Sequence, residues 1–242
     1  MIGLSKKLLS FNSSRYRLLD ENRKFAQTIP SGAVVLDAGA GDQIYRSLLQ
    51  HTQYESADFE KVDKEYAQST YVCDLKEIPV ENNRFDYILF NQVMEHLPEP
   101  NLVLTELNRV LKPDGKIIYT GPLFYEEHEI PYDFFRYTQF SLRKMFSDAG
   151  FEIERLDWME GYFGTVGYQL NRMAQYLPTN PKDLGGGLMG YLLCPMMLLL
   201  KIFSALTSIF FHKLEVKNKY TKKGYPKNYV GIFRKSTVST GA

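Results

Sequence analysis

Residues 34–42 read Val34-Val35-Leu36-Asp37-Ala38-Gly39-Ala40-Gly41-Asp42. The apolar and β-branched run predicts a strand buried on both faces, and the two glycines that follow predict a tight turn at its carboxyl end. Glycine at positions 39 and 41 lets the backbone approach a nucleotide-like ligand, because a Cβ at either place would stand where the ligand must lie. The competing reading is a tight turn of any α/β domain, in which Asp37 and Asp42 only cap local structure.

Two ligand classes fit such a turn, and they differ in charge. The dinucleotide fingerprint G-x-G-x-x-G requires glycine where this chain has Ile44. A pyrophosphate would also lie against Asp37 and Asp42, opposing the pull of a helix N-terminus on phosphate. S-adenosylmethionine brings an ammonium and a sulfonium against one carboxylate, so the acidic residues complement it. The charge pattern favours the methyl donor over a nicotinamide dinucleotide.

Outward from this stretch, 242 residues allow one full core with an elaboration, and a single domain spanning 1–242 is expected. A formal net charge of +1 supplies no global basic field, so no nucleic-acid partner is expected. Cys73 and Cys194 have neither zinc-site spacing nor the density of a disulfide framework, which fits a reducing compartment; no metal is expected. Met1 to Ser10 contains no apolar run long enough for a secretory signal, so the expected location is cytoplasmic.

Apolar spacing predicts a helix over 14–29 and another after the glycine turn, from Ile44, Tyr45, Leu48 and Leu49. Strands are expected at 54–58, 71–73, 85–91, 116–120, 151–156 and from Tyr229 to Phe233, with helices at 101–111 and 141–149. That alternation predicts an α/β fold with a doubly wound, mostly parallel sheet. Asp58 closes the second strand 19 positions after Gly39, about where an acid reaches ribose hydroxyls in such folds. Asp74 and Leu75 end the third strand, where they can meet an adenine edge.

Taken in order, LDAGAGD (36–42), ESADFE (55–60), CDLKEIPVENNRFDYILFNQVMEHL (73–97) and NRVLKPDGKI (108–117) resemble the motif series of class I S-adenosylmethionine-dependent methyltransferases, in their small-molecule, type 11-like branch. The resemblance implies a seven-stranded, Rossmann-like sheet with an antiparallel last strand and S-adenosyl-L-methionine as cofactor. It places Asp37, Gly39 and Gly41 at the methionine part, Asp58 at the ribose, Asp74 with Leu75 at the adenine, and Asn91 beside the methionine side. The chain departs from the series at Gln43, where many members carry a third glycine, and at Asp114, where a glycine usually opens the turn before the fifth strand.

Methyl transfer from a sulfonium depends chiefly on holding nucleophile, methyl and sulfur in line, and a base is needed only when the acceptor must lose a proton. Glu95-His96 follows the fourth strand at the edge where ligands of such folds bind, and His96 can contact an acceptor or cap a helix. The segment GPLFYEEHEIPYDFFRYT (121–138) resembles an H..P.D..R.T element found in a subset of these enzymes on the acceptor side. His128 is the preferred base and Asp133 its companion; the alternative is an Asp133–Arg136 pair that only fixes the loop.

Residues 158–228 form an insertion where the plain fold needs a short connection. From 185 to 211 the only charge is Lys201. Pro195 is expected to break the stretch into two pieces. Lys201, Ser204, Ser208 and His212 form a narrow polar stripe on an apolar cylinder, and Lys213, Lys217, Lys219, Lys222, Lys223 and Lys227 follow. Such a segment can lie on a bilayer, line a lipid-sized pocket, pack in a dimer or form a buried cap. The expected protein is a methyltransferase with a small-molecule, amphipathic or glycan/lipid-linked acceptor, resting on a membrane surface through 185–227. Its competitors are a non-catalytic membrane-associated binding module and a nicotinamide-dependent oxidoreductase.

Overall fold

The structure, a computed structural model, describes residues 13–61 and 66–237. The apolar run forms strand β1, Val34–Ala38, which pairs in parallel with β2, Gln53–Asp58, on one side and with β4, Phe85–Asn91, on the other. Tyr71–Val72 (β3), Leu111–Pro122 (β5), Phe151–Trp158 (β6) and Asn228–Lys235 (β7) complete a seven-stranded sheet in the order β3-β2-β1-β4-β5-β7-β6. β7 runs antiparallel to both neighbours. The doubly wound sheet expected from the sequence is thus present, and its order reverses between β1 and β4, which opens a crevice at their carboxyl ends.

Alternation along each strand explains the two cores. Leu36, Ile88, Phe90, Ile117 and Tyr119 pack on one face with Leu104 and Leu107 of α2, Pro100–Val110, and Phe146 of α3, Gln139–Asp148. Val35, Leu89, Ile118 and Val230 point the other way, against Phe25 and Ala26 of α1, Ser13–Thr28, and against Ile29. Phe146 stacks flat on Phe233, with centroids 3.7 Å apart and planes 6° from parallel.

Two local readings need correction. The helix expected after the glycine turn is a single 3₁₀ turn, Arg46–Leu48. Gly39, Gly41 and Gln43 all hold positive φ, so the turn extends too far to leave room for an α-helix before β2. Tyr45 and Leu49 are buried nonetheless, so their spacing marked packing anchors. Strand β5 also starts at Leu111, five residues before the expected Lys116, and carries the turn residues within it, with Asp114 at φ +60°.

The chain forms two compact units: residues 18–159 with 228–237 hold the sheet, and residues 13–17 with 160–227 form the other. The second is built on α4, Tyr162–Tyr176, and α5, Gly187–Lys217. Pro195 sits inside α5 without ending it. Its missing N–H removes one bond from a 31-residue ladder, a local cost of about 3 kcal/mol that the long helix absorbs.

The polar stripe of α5 faces inward. Ser204, Ser208, His212 and Glu215 are buried. Glu215 accepts backbone N–H groups of Gly161 and Gly164 at 2.7 and 3.2 Å, at the start of α4. Lys201 donates to the carbonyls of Gln175 and Leu177 at 3.2 and 3.0 Å, at its end. The stripe therefore puts an anion at the positive end of the α4 dipole and a cation at the negative end. The apolar cylinder is left outside, with Leu188, Leu199, Phe203 and Leu206 each more than 60% exposed.

Replacing Phe146 by Ala should cost about 3–5 kcal/mol, because it empties a fully buried stacked position. Urea denaturation should show a lower midpoint at unchanged slope, while Phe140→Ala, at an exposed site of α3, should stay within about 0.5 kcal/mol of the parent.

Candidate functional site

The two glycines of the opening stretch serve different ends. Gly39, at φ +75°, lies against Val93 of the segment after β4, where a Cβ would come within 2.4 Å of a valine methyl. The expectation that a ligand fills the space at Gly39 is therefore corrected: the chain itself fills it. Gly41, at φ +51°, faces open space. The N–H groups of Gly39 and Ala40 both reach the carbonyl of Ala57, and the N–H of Gly41 reaches Asp58 Oδ2 at 2.8 Å. The end of β2 thus holds the turn.

Gln43 resolves one departure from the motif series. It adopts φ +54°, the left-handed conformation that glycine would take there. Its side chain offsets that strain by donating to Ser56 Oγ and the Gln68 carbonyl and accepting from Arg46. Asp114 behaves alike, with its left-handed backbone and a 2.7 Å contact from Arg234 to its carboxylate.

Asp37 is buried and accepts the Tyr54 hydroxyl at 2.7 Å. Burial pushes its carboxyl up to about 6, against the pull of that hydrogen bond, and the charges of Asp58 and Asp42 push in the same direction. Three carboxylates thus crowd one turn, and together they make its potential negative. The Asp58 carboxylate is engaged at both oxygens, by Gly41 N–H and by Glu60 N–H at 3.1 Å. Asp74 is exposed and caps the N–H of Lys76, and Leu75 beside it is buried. The Asn91 side chain exchanges two hydrogen bonds with Asn22, at 2.9 and 3.1 Å, and accepts the Thr120 hydroxyl, so it ties α1 to the sheet.

The second half of the site is a junction between the segments following β4 and β5. The N–H groups of Phe134 and Phe135 bond the carbonyl of Glu95, the Tyr137 hydroxyl bonds that of Met94, and His96 Nδ1 bonds that of Tyr132. A carbonyl only accepts, so Nδ1 of His96 carries the proton and Nε2 carries the lone pair. His128 is arranged the same way: Nδ1 lies 3.2 Å from the Glu126 carbonyl and 3.3 Å from Asp133 Oδ2. The two imidazoles meet edge to face with centroids 4.6 Å apart. His96, His128 and Asp133, separate in sequence, are therefore brought together, and Phe59 against Tyr132 at 5.5 Å links them to the residue after Asp58.

Asp133 and Glu95 show opposite electrostatics at this junction. Burial works against the charge of Asp133, but a two-pronged contact from Arg136 at 2.6 and 2.8 Å, with the His128 N–H at 2.9 Å, holds it down at about 2. Glu95 is fully buried, and neither carboxylate oxygen has a hydrogen-bond partner among the described residues. Burial pushes it up to about 8, against its own backbone N–H and the charge of Arg136, which favour the charged form, while Asp133 and Glu129 add to the rise. Burial also pushes His96 below the usual imidazole range. Sequence reasoning singled out the histidine of the Glu95-His96 pair and passed over the acid, since nothing in the local pattern signals burial without a partner.

A separate depression of about 780 Å³ lies beside β3, lined by Cys73, Ile78, Glu106 and Arg109 among others. Its Arg109 and Glu106 are already paired: Arg109 bonds Glu106 and the carbonyls of Ile78 and Val80. The crevice at the glycine turn is the better candidate.

Comparison with known proteins agrees with this geometry. A family model described as a methyltransferase domain matches residues 11–156. A tRNA (carboxymethyluridine(34)-5-O)-methyltransferase of Arabidopsis thaliana is 29% identical over 117 residues, 46% of this chain and 29% of that protein. A ubiquinone/menaquinone biosynthesis C-methyltransferase of Desulfotalea psychrophila is 27% identical over 126 residues, 42% of this chain and 51% of its own length. The chain thus spans about half or less of these relatives. The structure of a Burkholderia thailandensis 1,6-didemethyltoxoflavin-N1-methyltransferase, with S-adenosylhomocysteine bound, superposes with a TM-score of 0.52 at 14% identity, covering 90% of this chain and 78% of that one.

Arg136 holds the segment after β5 through Asp133 and the carbonyls of Tyr125, Glu126 and Phe135. Arg136→Ala should therefore speed amide exchange across 125–135 by about tenfold or more while β4 stays protected, as measured by hydrogen-exchange mass spectrometry.

Proposed function

The chain belongs to the methyltransferase-domain family, and on that premise we propose that it is an S-adenosylmethionine-dependent methyltransferase acting on an oxygen-bearing, amphipathic or glycan/lipid-linked acceptor. The observation that carries the reading is the crowding of Asp37, Asp42 and Asp58 around an open glycine turn, where burial first and then the charges of Asp58 and Asp42 raise the proton affinity of Asp37. A dinucleotide phosphate would add charge of the same sign, whereas a cationic donor relieves it. Asp37 and the open face at Gly41 would hold the methionine end, Asp58 the ribose, and Asp74 with Leu75 the adenine, with Gly39 and Asn91 shaping the walls. When bound, S-adenosylmethionine supplies a methyl group on a sulfonium, whose sulfur leaves as a neutral thioether.

What the protein's own residues contribute is position. The junction of Glu95, His96 and His128 lies beyond the carboxyl ends of β4 and β5, next to the glycine turn through Val93. It is the place for the acceptor. A hydroxyl acceptor would lose its proton there, beside the partly exposed His128, whose ring Asp133 fixes on the Nδ1 side.

The inserted unit suggests where the acceptor comes from. Its helix α5 has a mean hydropathy of 1.9 over its most apolar window, of which 11% is buried. Lysines 213, 217, 219, 222 and 223 gather at and after its carboxyl end. We read α5 as lying in the interface of an anionic bilayer at the cytoplasmic side, an apolar flank in lipid and lysines at headgroups.

Calorimetry should show S-adenosylhomocysteine binding on the order of micromolar, and binding of NAD in its place would overturn the reading. Asp37 must be ionised to meet the ligand's ammonium, and its proton leaves as pH rises through about 6. Affinity should accordingly rise by up to about tenfold between pH 5 and pH 7, and Asp37→Asn should flatten that dependence. For the inserted unit, the protein should float with vesicles containing anionic lipid, and a Leu199→Asp, Phe203→Asp double variant should remain at the bottom of the gradient; flotation unaffected by the pair would rule out α5 as the contact.

A further inference from the structure

We infer that Glu95, His96 and His128 form a binding site for a divalent transition-metal cation, which takes an oxygen of the acceptor as an additional ligand. One ligand atom from each residue lies within 4.8 Å of the other two. Ions of this class hold nitrogen and oxygen ligands at about 2.0–2.2 Å, so ligand pairs span up to about 4.4 Å, and small rotamer adjustments close the difference. The chemistry of the donors fits as well. Imidazole with carboxylate suits zinc, manganese, iron and cobalt, and two histidines with one acid leave positions open for an exchangeable ligand.

Two independent features point to a cation. The carboxyl group of Glu95 is wholly buried with both oxygens unpartnered among the described residues, a costly state unless a proton or a metal cation completes it. Each imidazole has its Nδ1 proton directed at an acceptor: the Tyr132 carbonyl for His96, and the Glu126 carbonyl with the Asp133 carboxylate for His128. That outer arrangement leaves Nε2 as the lone-pair atom in both rings, which is how metal-bound histidines are usually oriented.

The site deepens the proposed function and rests on its placing of the acceptor at this junction. His128, a quarter to a third exposed, marks the open side, whereas His96 is mostly covered. A hydroxyl oxygen entering there would bind the cation and lose its proton to solvent, the O–H electron pair remaining on oxygen. Such a site favours acceptors with two neighbouring oxygens, as in a vicinal diol or an α-hydroxy carbonyl, which can occupy two open positions. In that case His128 acts as a ligand, and the cation replaces a free imidazole base.

The test uses the full chain stripped of metal by chelation. Titration with cobalt(II), read by visible absorption, and with zinc and manganese, read by calorimetry, should show one saturable site. Glu95→Gln and His128→Ala should each weaken it by about tenfold or more, with His51→Ala unchanged. Circular dichroism and thermal unfolding establish that the variants fold, and S-adenosylhomocysteine calorimetry on the same samples reports the cofactor side separately. Absence of a saturable site, or a site indifferent to both substitutions, overturns the inference. If S-adenosylhomocysteine still binds in that event, the methyltransferase reading stands without the metal; if neither binds, both fail.

Discussion

Parallel pairing of β1 with both β2 and β4 is the constraint on which the rest of the structure depends. Parallel strands end on the same edge, so the segments after β1, β2, β4 and β5 converge there without any contact having to bring them together. Val93 filling the space at Gly39, Asp58 holding Gly41, and the Glu95 carbonyl holding Phe134 and Phe135 are consequences of that convergence. Each is a backbone or small-residue contact that only a fixed strand register permits.

This explains which features were legible in the sequence. Strands buried on both faces announce themselves as apolar runs, and glycines that need a left-handed backbone announce themselves by identity, so β1, β4 and the turn were readable. Gln43 and Asp114 were not: each holds the backbone expected of glycine, stabilised by side-chain contacts to residues far along the chain. The helix expected after the turn failed for a related reason. Tyr45 and Leu49 have helical spacing, but the residues before them are consumed by the turn that the glycines create.

The insertion shows a different limit. The amphipathic pattern of α5 was visible in the sequence, but a pattern has no sign until its neighbours are known. A polar stripe ordinarily faces water; here it faces α4, because Lys201 and Glu215 satisfy opposite ends of that helix. With the polar groups spent internally, the broad apolar surface is left largely exposed among the described residues. An exposed cylinder of Leu, Met, Ile and Phe of this extent costs stability in water unless something apolar covers it. The proposed contact with a bilayer, flanked by the lysines that follow α5, would answer that requirement.

Buried acids make the same argument at smaller scale, and their partners separate structure from chemistry. Glu215 is buried on two backbone N–H groups, and Asp133 on a guanidinium and a backbone N–H; both are complete within the chain. Asp37 has one hydroxyl and two neighbouring negative charges, and Glu95 has no hydrogen-bond partner among the described residues. Leaving a carboxylate so exposed to desolvation is unfavourable by a few kcal/mol, and selection for stability alone would replace it with an apolar residue of similar size. Two such acids at the one edge where the parallel strands end accord with the two ligands proposed there: a cationic donor at Asp37, and a cation with its oxygen ligand at Glu95.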